Sequence, residues 1–190
     1  MELILASASP QRRVLLEGLG LAFRAQASGV DESACQLADP AERAQVLARL
    51  KAEDVFASHP DCWVIGCDTL VVAPDGTLLE KPTDAADARR MLRLQSGGAS
   101  MVHSGLCLLG PGGEHEGISS SRVLFKALTD EEIEWWITTG EWQDRSGSFQ
   151  IDGLGQLLIE RLEGDWTSVV GLPVFLLGQL MEKAGLPLPS

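Results

Sequence analysis

Positive charge is scarce in this chain. Its 190 residues include 15 Lys and Arg against 27 Asp and Glu, a formal net charge of -12. So acidic a surface repels phosphate backbones and anionic lipid, and binding to nucleic acid or to a membrane surface is not expected. An anionic ligand would need a local cluster of the few cations, so each grouped Lys or Arg is informative. Cysteine is sparse and unpatterned. Cys35, Cys62, Cys67 and Cys107 show no CxxC spacing and no nearby His pair. That pattern predicts neither a zinc site nor a disulfide framework, but reduced, partly buried thiols. No apolar run approaches the roughly 20 residues of a membrane span. The opening MELILASASPQRR carries its positive charges after the apolar stretch, the wrong order for a secretory signal. The expected compartment is the cytoplasm. Internal repeats, low-complexity tracts and long linkers are missing too, so residues 1–190 read as a single domain.

What is present suffices for a core. Hydrophobic residues make up 45% and charged residues 22%, and a chain of this size buries roughly 70% of its unfolded surface. Leu3-Ile4-Leu5 reads as a strand. Ser9-Pro10 then supplies an N-cap and a first-turn proline for a helix that Gly18 or Gly20 ends. A second helix is predicted from about Pro40 to Ser58, and a strand over Trp63–Val72. Pro74-Asp75-Gly76 marks a turn, with Thr77-Leu78-Leu79 as hairpin partner. Thr83 and Asp87 bracket another helix start, stopped at Gly97-Gly98. Strands around Val102–Leu109 and Ile118–Leu128 flank a Gly110–Gly113 turn. Thr129 and Glu132 have capping-box spacing. Strands around Phe149–Ile151 and Leu157–Leu162 and a helix from about Pro173 to Lys183 complete the pattern. Such alternation predicts an α/β fold with a mixed sheet and flanking helices.

Three places carry chemistry. Ser7, Ser9, Arg12 and Arg13 gather at the first strand-to-helix junction, where free backbone N–H groups and hydroxyls favour an anion. The plain alternative is a capped helix with two solvated arginines. Lys51 shares a helix face with Ala44, Leu47, Ala48 and Val55. A lysine in an apolar stripe usually snorkels to its edge, while the functional alternative has the ammonium face a phosphate. Asp68 is the sole charge in a strand otherwise fit for burial, and a lone buried carboxylate must be paired, hydrogen-bonded or metal-bound. Lys81 could supply a partner for it or another phosphate cation. Glu32 adds a second carboxylate from a loop that would ordinarily be solvated.

These pieces together resemble the Maf family of nucleoside triphosphate pyrophosphatases, nearly end to end. LILASASPQRRVLLEGLGLAF is similar to the family's start. VDES places Glu32, LARLKAEDV places Lys51, GCDTLVV places Asp68 and LLEKP places Lys81 on family positions, and VVGLP closes the set. The resemblance implies hydrolysis between the α and β phosphates, giving a monophosphate and pyrophosphate with a divalent cation, Mg²⁺ or Mn²⁺. It also implies an elongated α/β fold with a cleft between two lobes, as a homodimer. Asp68 takes the proton-acceptor role, Arg12, Lys51 and Lys81 clamp phosphate, and Glu32 with Asp68 supplies hard oxygen ligands. Arg145, Ser146 and Ser100 depart from common family residues without touching this cluster.

The accepted base is where the pattern divides. The family's dTTP/UTP group has Arg after Ser-Pro, Thr after the catalytic Asp and Gln before a later Gly; its 7-methyl-GTP group has Trp, Gln and Glu. This chain has Gln11, Thr69 and Asp152. Thr69 fits the pyrimidine group, and the missing indole removes a platform for a cationic purine. Asp152 leans the other way, unless it is only a turn residue before Gly153. The expectation is dTTP and UTP. Rival readings are a 7-methyl-GTP pyrophosphatase, a phosphatase releasing orthophosphate, and a nucleotide-binding regulator of septum formation without turnover.

Overall fold

The apolar triplet Leu3–Leu5 is a wholly buried strand, β1, in the computed structural model, which describes residues 2–187. The elements that follow are α1 (Pro10–Gly18), β2 (Arg24–Ala25), α2 (Pro40–Phe56), β3 (Trp63–Val72), β4 (Leu78–Leu79), α3 (Ala85–Gln95), β5 (Ala99–Gly110), β6 (Gly113–Phe125), α4 (Asp130–Thr139), β7 (Ile159–Glu163), α5 (Trp166–Val170) and α6 (Val174–Lys183). Short 3₁₀ turns span Glu32–Ala34, Ser146–Ser148 and Gly153–Leu158. The sheet runs β2-β1-β3-β5-β6-β7, with β4 paired to β3. β1 is parallel to β2 and β3, while β3–β4 and β6–β7 are antiparallel. This is the mixed α/β sheet that the alternation of elements predicts.

Packing groups the chain into two compact units. One holds residues up to Asp68, Ser104–Ser119 and the stretch from Gly171 onward; the other holds Thr69–His103 and Ser120–Val170. In the first, side chains alternate between two faces of the strands. Leu3, Leu5, Trp63, Ile65 and Cys67 pack with Leu16 of α1 and Leu177, Leu180 and Met181 of α6. Ile4, Ala6, Val64 and Cys107 pack with Ala48, Ala52 and Val55 of α2. Burial pushes the Cys107 thiol up to about 12, so it behaves as a small apolar group.

Two glycines set how closely α2 lies on the strands. A Cβ on Gly66 would stand 2.0 Å from the Ala48 carbonyl oxygen, and one on Gly105 would stand 2.3 Å from that of Ala44. No side chain fits there, so helix backbone rests on strand backbone.

The second unit is built around Val71, Leu79, Met91, Leu92, Val102, Val123, Ile133, Trp136 and Phe149. The buried Gln95 amide donates to the Gly147 carbonyl at 2.7 Å, and the Trp136 indole donates to that of Ser148 at 2.8 Å. Exposed pairs Arg89–Glu134 and Arg93–Asp130 join α3 to α4.

Several element readings need correction. Phe149–Ile151 is no strand, because the positive φ of Gly147, Ser148 and Gly153 turns the chain on both sides of it. The strand read from Leu157 starts at Ile159, since Leu157 and Leu158 complete a 3₁₀ turn. The second helix stops at Phe56 and β6 at Phe125. The caps read correctly: Ser9 accepts from the Arg12 N–H, and Thr129 and Glu132 form a reciprocal capping box.

Candidate active site

The site in the first unit begins where β1 ends. Leu5 pairs with Ile65 in parallel register, so Ser7 and Asp68 both lie beyond the C-terminal end of that paired stretch. Ligands of open α/β sheets bind on that side. Asp68 is two residues after Gly66 and projects from the same face of β3. Lys51 stands between Ala48 and Ala52, the two α2 residues that meet Gly66. The close contact that glycine allows therefore brings the lysine to the carboxylate.

The Lys51 Nζ donates to Asp68 Oδ1 at 2.6 Å and lies 2.6 Å from Glu32 Oε1. The Lys51 and Asp68 side chains are only 8% and 6% exposed, whereas Glu32 is 55% exposed. Snorkelling, the ordinary fate of such a lysine, is not what happens here. The ammonium is held inside between two carboxylates. Glu32 reaches it from the first residue of the 3₁₀ turn that Asp31 caps. The other oxygen, Asp68 Oδ2, is buried without a hydrogen-bond partner. A buried acceptor with nothing to accept from is costly unless a ligand, water or cation meets it.

The α1 junction supplies the second half. Ser9 caps the helix, and its hydroxyl donates to Gln11 Oε1 at 3.1 Å. Ser7 Oγ accepts from the Ser9 N–H at 3.2 Å and from Arg12 Nη1 at 3.1 Å. Arg12 Nε donates to the Gly171 carbonyl at 2.8 Å. Arg12 is thus held by the protein rather than solvated. Arg13 is different: it is exposed and lines a separate shallow cavity of about 380 Å³ with Glu17, Phe23 and Arg24. None of Ser7, Arg12, Lys51 or Asp68 lines that cavity.

Lys81, Thr69 and Asp152 belong to the second unit. Lys81 is exposed just past β4, and the ion-pair partner of Asp68 is Lys51. Asp152 precedes the 3₁₀ turn at Gly153 and makes no side-chain capping bond to it. Gly66, Cys67 and Gly171 went unmarked as site-building residues in the sequence reading. An isolated glycine inside a strand is a signal of close approach, and Gly66 carries it. Nothing local to Gly171 announces its bond to Arg12, 159 residues away.

Chemically, the cluster suits a polyanion and a hard cation. Two carboxylates, one with a buried orphan oxygen, fit Mg²⁺ or Mn²⁺. Among the described residues no set of three or more His, Cys, Asp or Glu could hold a metal. A cation here would take its other ligands from water and phosphate, as Mg²⁺ commonly does.

A β1–α1 junction of hydroxyls and a held arginine and a lysine shared by two carboxylates make up the site on this α/β sheet. The chain matches the Maf-like protein family over residues 2–184 and belongs to it. It is 46% identical over 182 residues to the dTTP/UTP pyrophosphatase of Deinococcus radiodurans, covering 96% of this chain and 92% of that one. It is 44% identical over 185 residues to the enzyme of the same name from Koribacter versatilis, covering 97% and 95%. A third, from Pyrococcus furiosus, is 38% identical over 181 residues, covering 95% and 94%.

Proposed function

We propose that this chain is a nucleoside triphosphate pyrophosphatase that hydrolyses dTTP and UTP to the monophosphate and pyrophosphate. The observation that carries the reading is the Lys51 ammonium 2.6 Å from both Asp68 and Glu32, with Asp68 Oδ2 buried and unpartnered. The names of the similar enzymes support the substrate class. In this reading water adds to the α phosphorus, the bond to the bridging oxygen breaks, and pyrophosphate leaves with the electron pair. Asp68 orients that water and accepts its proton. Arg12 and Lys51 offset phosphate charge as it builds, and Lys81 joins them. Positioning and charge neutralisation are what phosphoryl chemistry asks of a protein.

Asp68 and Glu32 would hold Mg²⁺ or Mn²⁺, which supplies Lewis-acid neutralisation of phosphate oxygens. Ser7 and Ser9 complete the phosphate side, while the choice of base turns on Gln11, Thr69 and Asp152. We read the protein as a cytoplasmic homodimer. Val14, Ile118 and Phe175 of the first unit are exposed apolar residues, and sedimentation velocity tests the homodimer. Among the described residues no helix is long and apolar enough to cross a membrane.

The deciding experiment measures pyrophosphate against orthophosphate release from each triphosphate, with and without Mg²⁺. Pyrophosphate as first product, dependent on the cation, is expected. Orthophosphate first would sink the reading, and binding without turnover would favour a regulator. Comparing kcat/KM for UTP, dTTP and 7-methyl-GTP tests the base. A preference for 7-methyl-GTP that vanishes in Asp152→Gln would make Asp152 the base reader.

A further inference from the structure

Arg12 is in an unfavourable place for a cation. It stands three residues past the Ser9 cap, in the first turn of α1, at the positive end of the helix dipole. Something must hold the guanidinium against that field. Its Nε–H donates to the Gly171 carbonyl at 2.8 Å and its Nη1 to Ser7 Oγ at 3.1 Å. The same Gly171 carbonyl accepts from the Cys67 thiol at 3.0 Å. Cys67 is fully buried and directly precedes Asp68 on β3. Adjacent strand residues project to opposite faces. Asp68 therefore meets Lys51 on the α2 side, and Cys67 meets Gly171 on the α6 side.

The backbone adds a second constraint. Gly171 has φ +130, outside what a side chain tolerates without strain. That conformation aims the carbonyl, and the carbonyl has two lone pairs for two donors. One takes the guanidinium and the other takes the thiol, so both remain tied to one oxygen. Two donors fixed on a planar, rigid fork set the plane of the whole guanidinium.

We infer that Gly171 and Cys67 are positioning residues for phosphate capture: the Gly171 carbonyl, anchored to β3 by the Cys67 thiol, fixes the orientation in which Arg12 meets the triphosphate. The inference rests on the proposed role of Arg12 toward phosphate. Cys67 acts as a hydrogen-bond donor, not as a nucleophile or a redox group.

A double-mutant cycle tests it. The readouts are kcat and KM for UTP and the inhibition constant of inorganic tripolyphosphate, a probe without base or sugar. Gly171→Ala is expected to lower kcat/KM about 10-fold or more, as loss of a hydrogen bond to a charged group does. In an Arg12→Ala background it should change kcat/KM less than about 3-fold, because the group it positions is gone. Cys67→Ala should raise the tripolyphosphate constant about 3-fold, and Cys67→Ser, which keeps a donor, should restore it. Equal factors for the Gly171 change in both backgrounds would overturn the positioning role. So would a folded Cys67→Ser protein no better than Cys67→Ala, and this pair decides the matter if Gly171→Ala does not fold. Wild-type inhibition by tripolyphosphate in Arg12→Ala would instead remove the underlying phosphate role, and the inference with it.

Discussion

Ion pairs in this protein sit in two contrasting regions. On α3 and α4, Arg89–Glu134 and Arg93–Asp130 link side chains between 31% and 78% exposed. Between α2 and β3, Lys51 and Asp68 meet with 8% and 6% exposure. Exposed pairs contribute little, because water and salt screen them and long side chains lose freedom. A buried pair gives no simple gain either, since removing two charges from water offsets much of their attraction. Apolar residues of similar volume would serve stability as well. The difference teaches that charge on the α3–α4 surface is solvated decoration, whereas the buried charge at Lys51 and Asp68 is not explained by stability alone, in keeping with the ligand role proposed for it.

The sharpest way to break the contrast is to remove one buried partner. Lys51→Met leaves Asp68 buried and uncompensated, which should cost about 3–5 kcal/mol in a denaturant unfolding experiment. Adding Asp68→Leu should recover most of that loss while the double variant stays inactive. Recovery of stability without activity is the signature of a functional pair. No recovery would mean that the pair holds the fold in its own right.

Next in size is Asp68→Asn. It keeps volume and leaves Lys51 paired with Glu32, so the fold should persist, but the carboxylate proposed as base or metal ligand is lost. Turnover should fall by at least about 10²-fold. Near-normal turnover would move the base to Glu32. Glu32→Gln sits between the two extremes, because its carboxylate is 55% exposed. We expect a loss in unfolding free energy below about 1 kcal/mol, close to that of a surface pair, with a clear rise in KM.

Parts of this arrangement are legible in the sequence. β3 runs over Trp63–Val72 as the β-branched content predicts, and a lone charge within it marks Asp68. Lys51 stands out as the one cation in an alanine-rich helix face. The pairing of Lys51 with both carboxylates was not legible, because it depends on α2 resting on Gly66 and Gly105, a contact between distant segments. Arg12 illustrates the limit further. Its cap and its charge are local facts, but its acceptor lies near the far end of the chain. The missed α5 is five residues long, too short for a periodic signal. The false strand at Phe149 failed because aromatic content cannot reveal the positive φ of Ser148 beside it.

The smallest expected effect completes the contrast. Arg89 Nε and Nη2 donate to the two oxygens of Glu134, at 2.5 and 2.7 Å. Those hydrogen bonds, and then the guanidinium charge, hold the Glu134 carboxyl below its ordinary value of 4.5. A lowered value means that any stabilisation is fully present above the unfolded value and is lost as pH falls through the folded one. Arg89→Ala, Glu134→Ala and the double variant should therefore unfold at nearly the wild-type denaturant midpoint at neutral pH. Whatever coupling the cycle detects should shrink with added salt and vanish in acid. A coupling at neutral pH as large as the effect of Lys51→Met, unmoved by salt, would erase the distinction between the two regions. Burial would then no longer be the property that sets Lys51 and Asp68 apart.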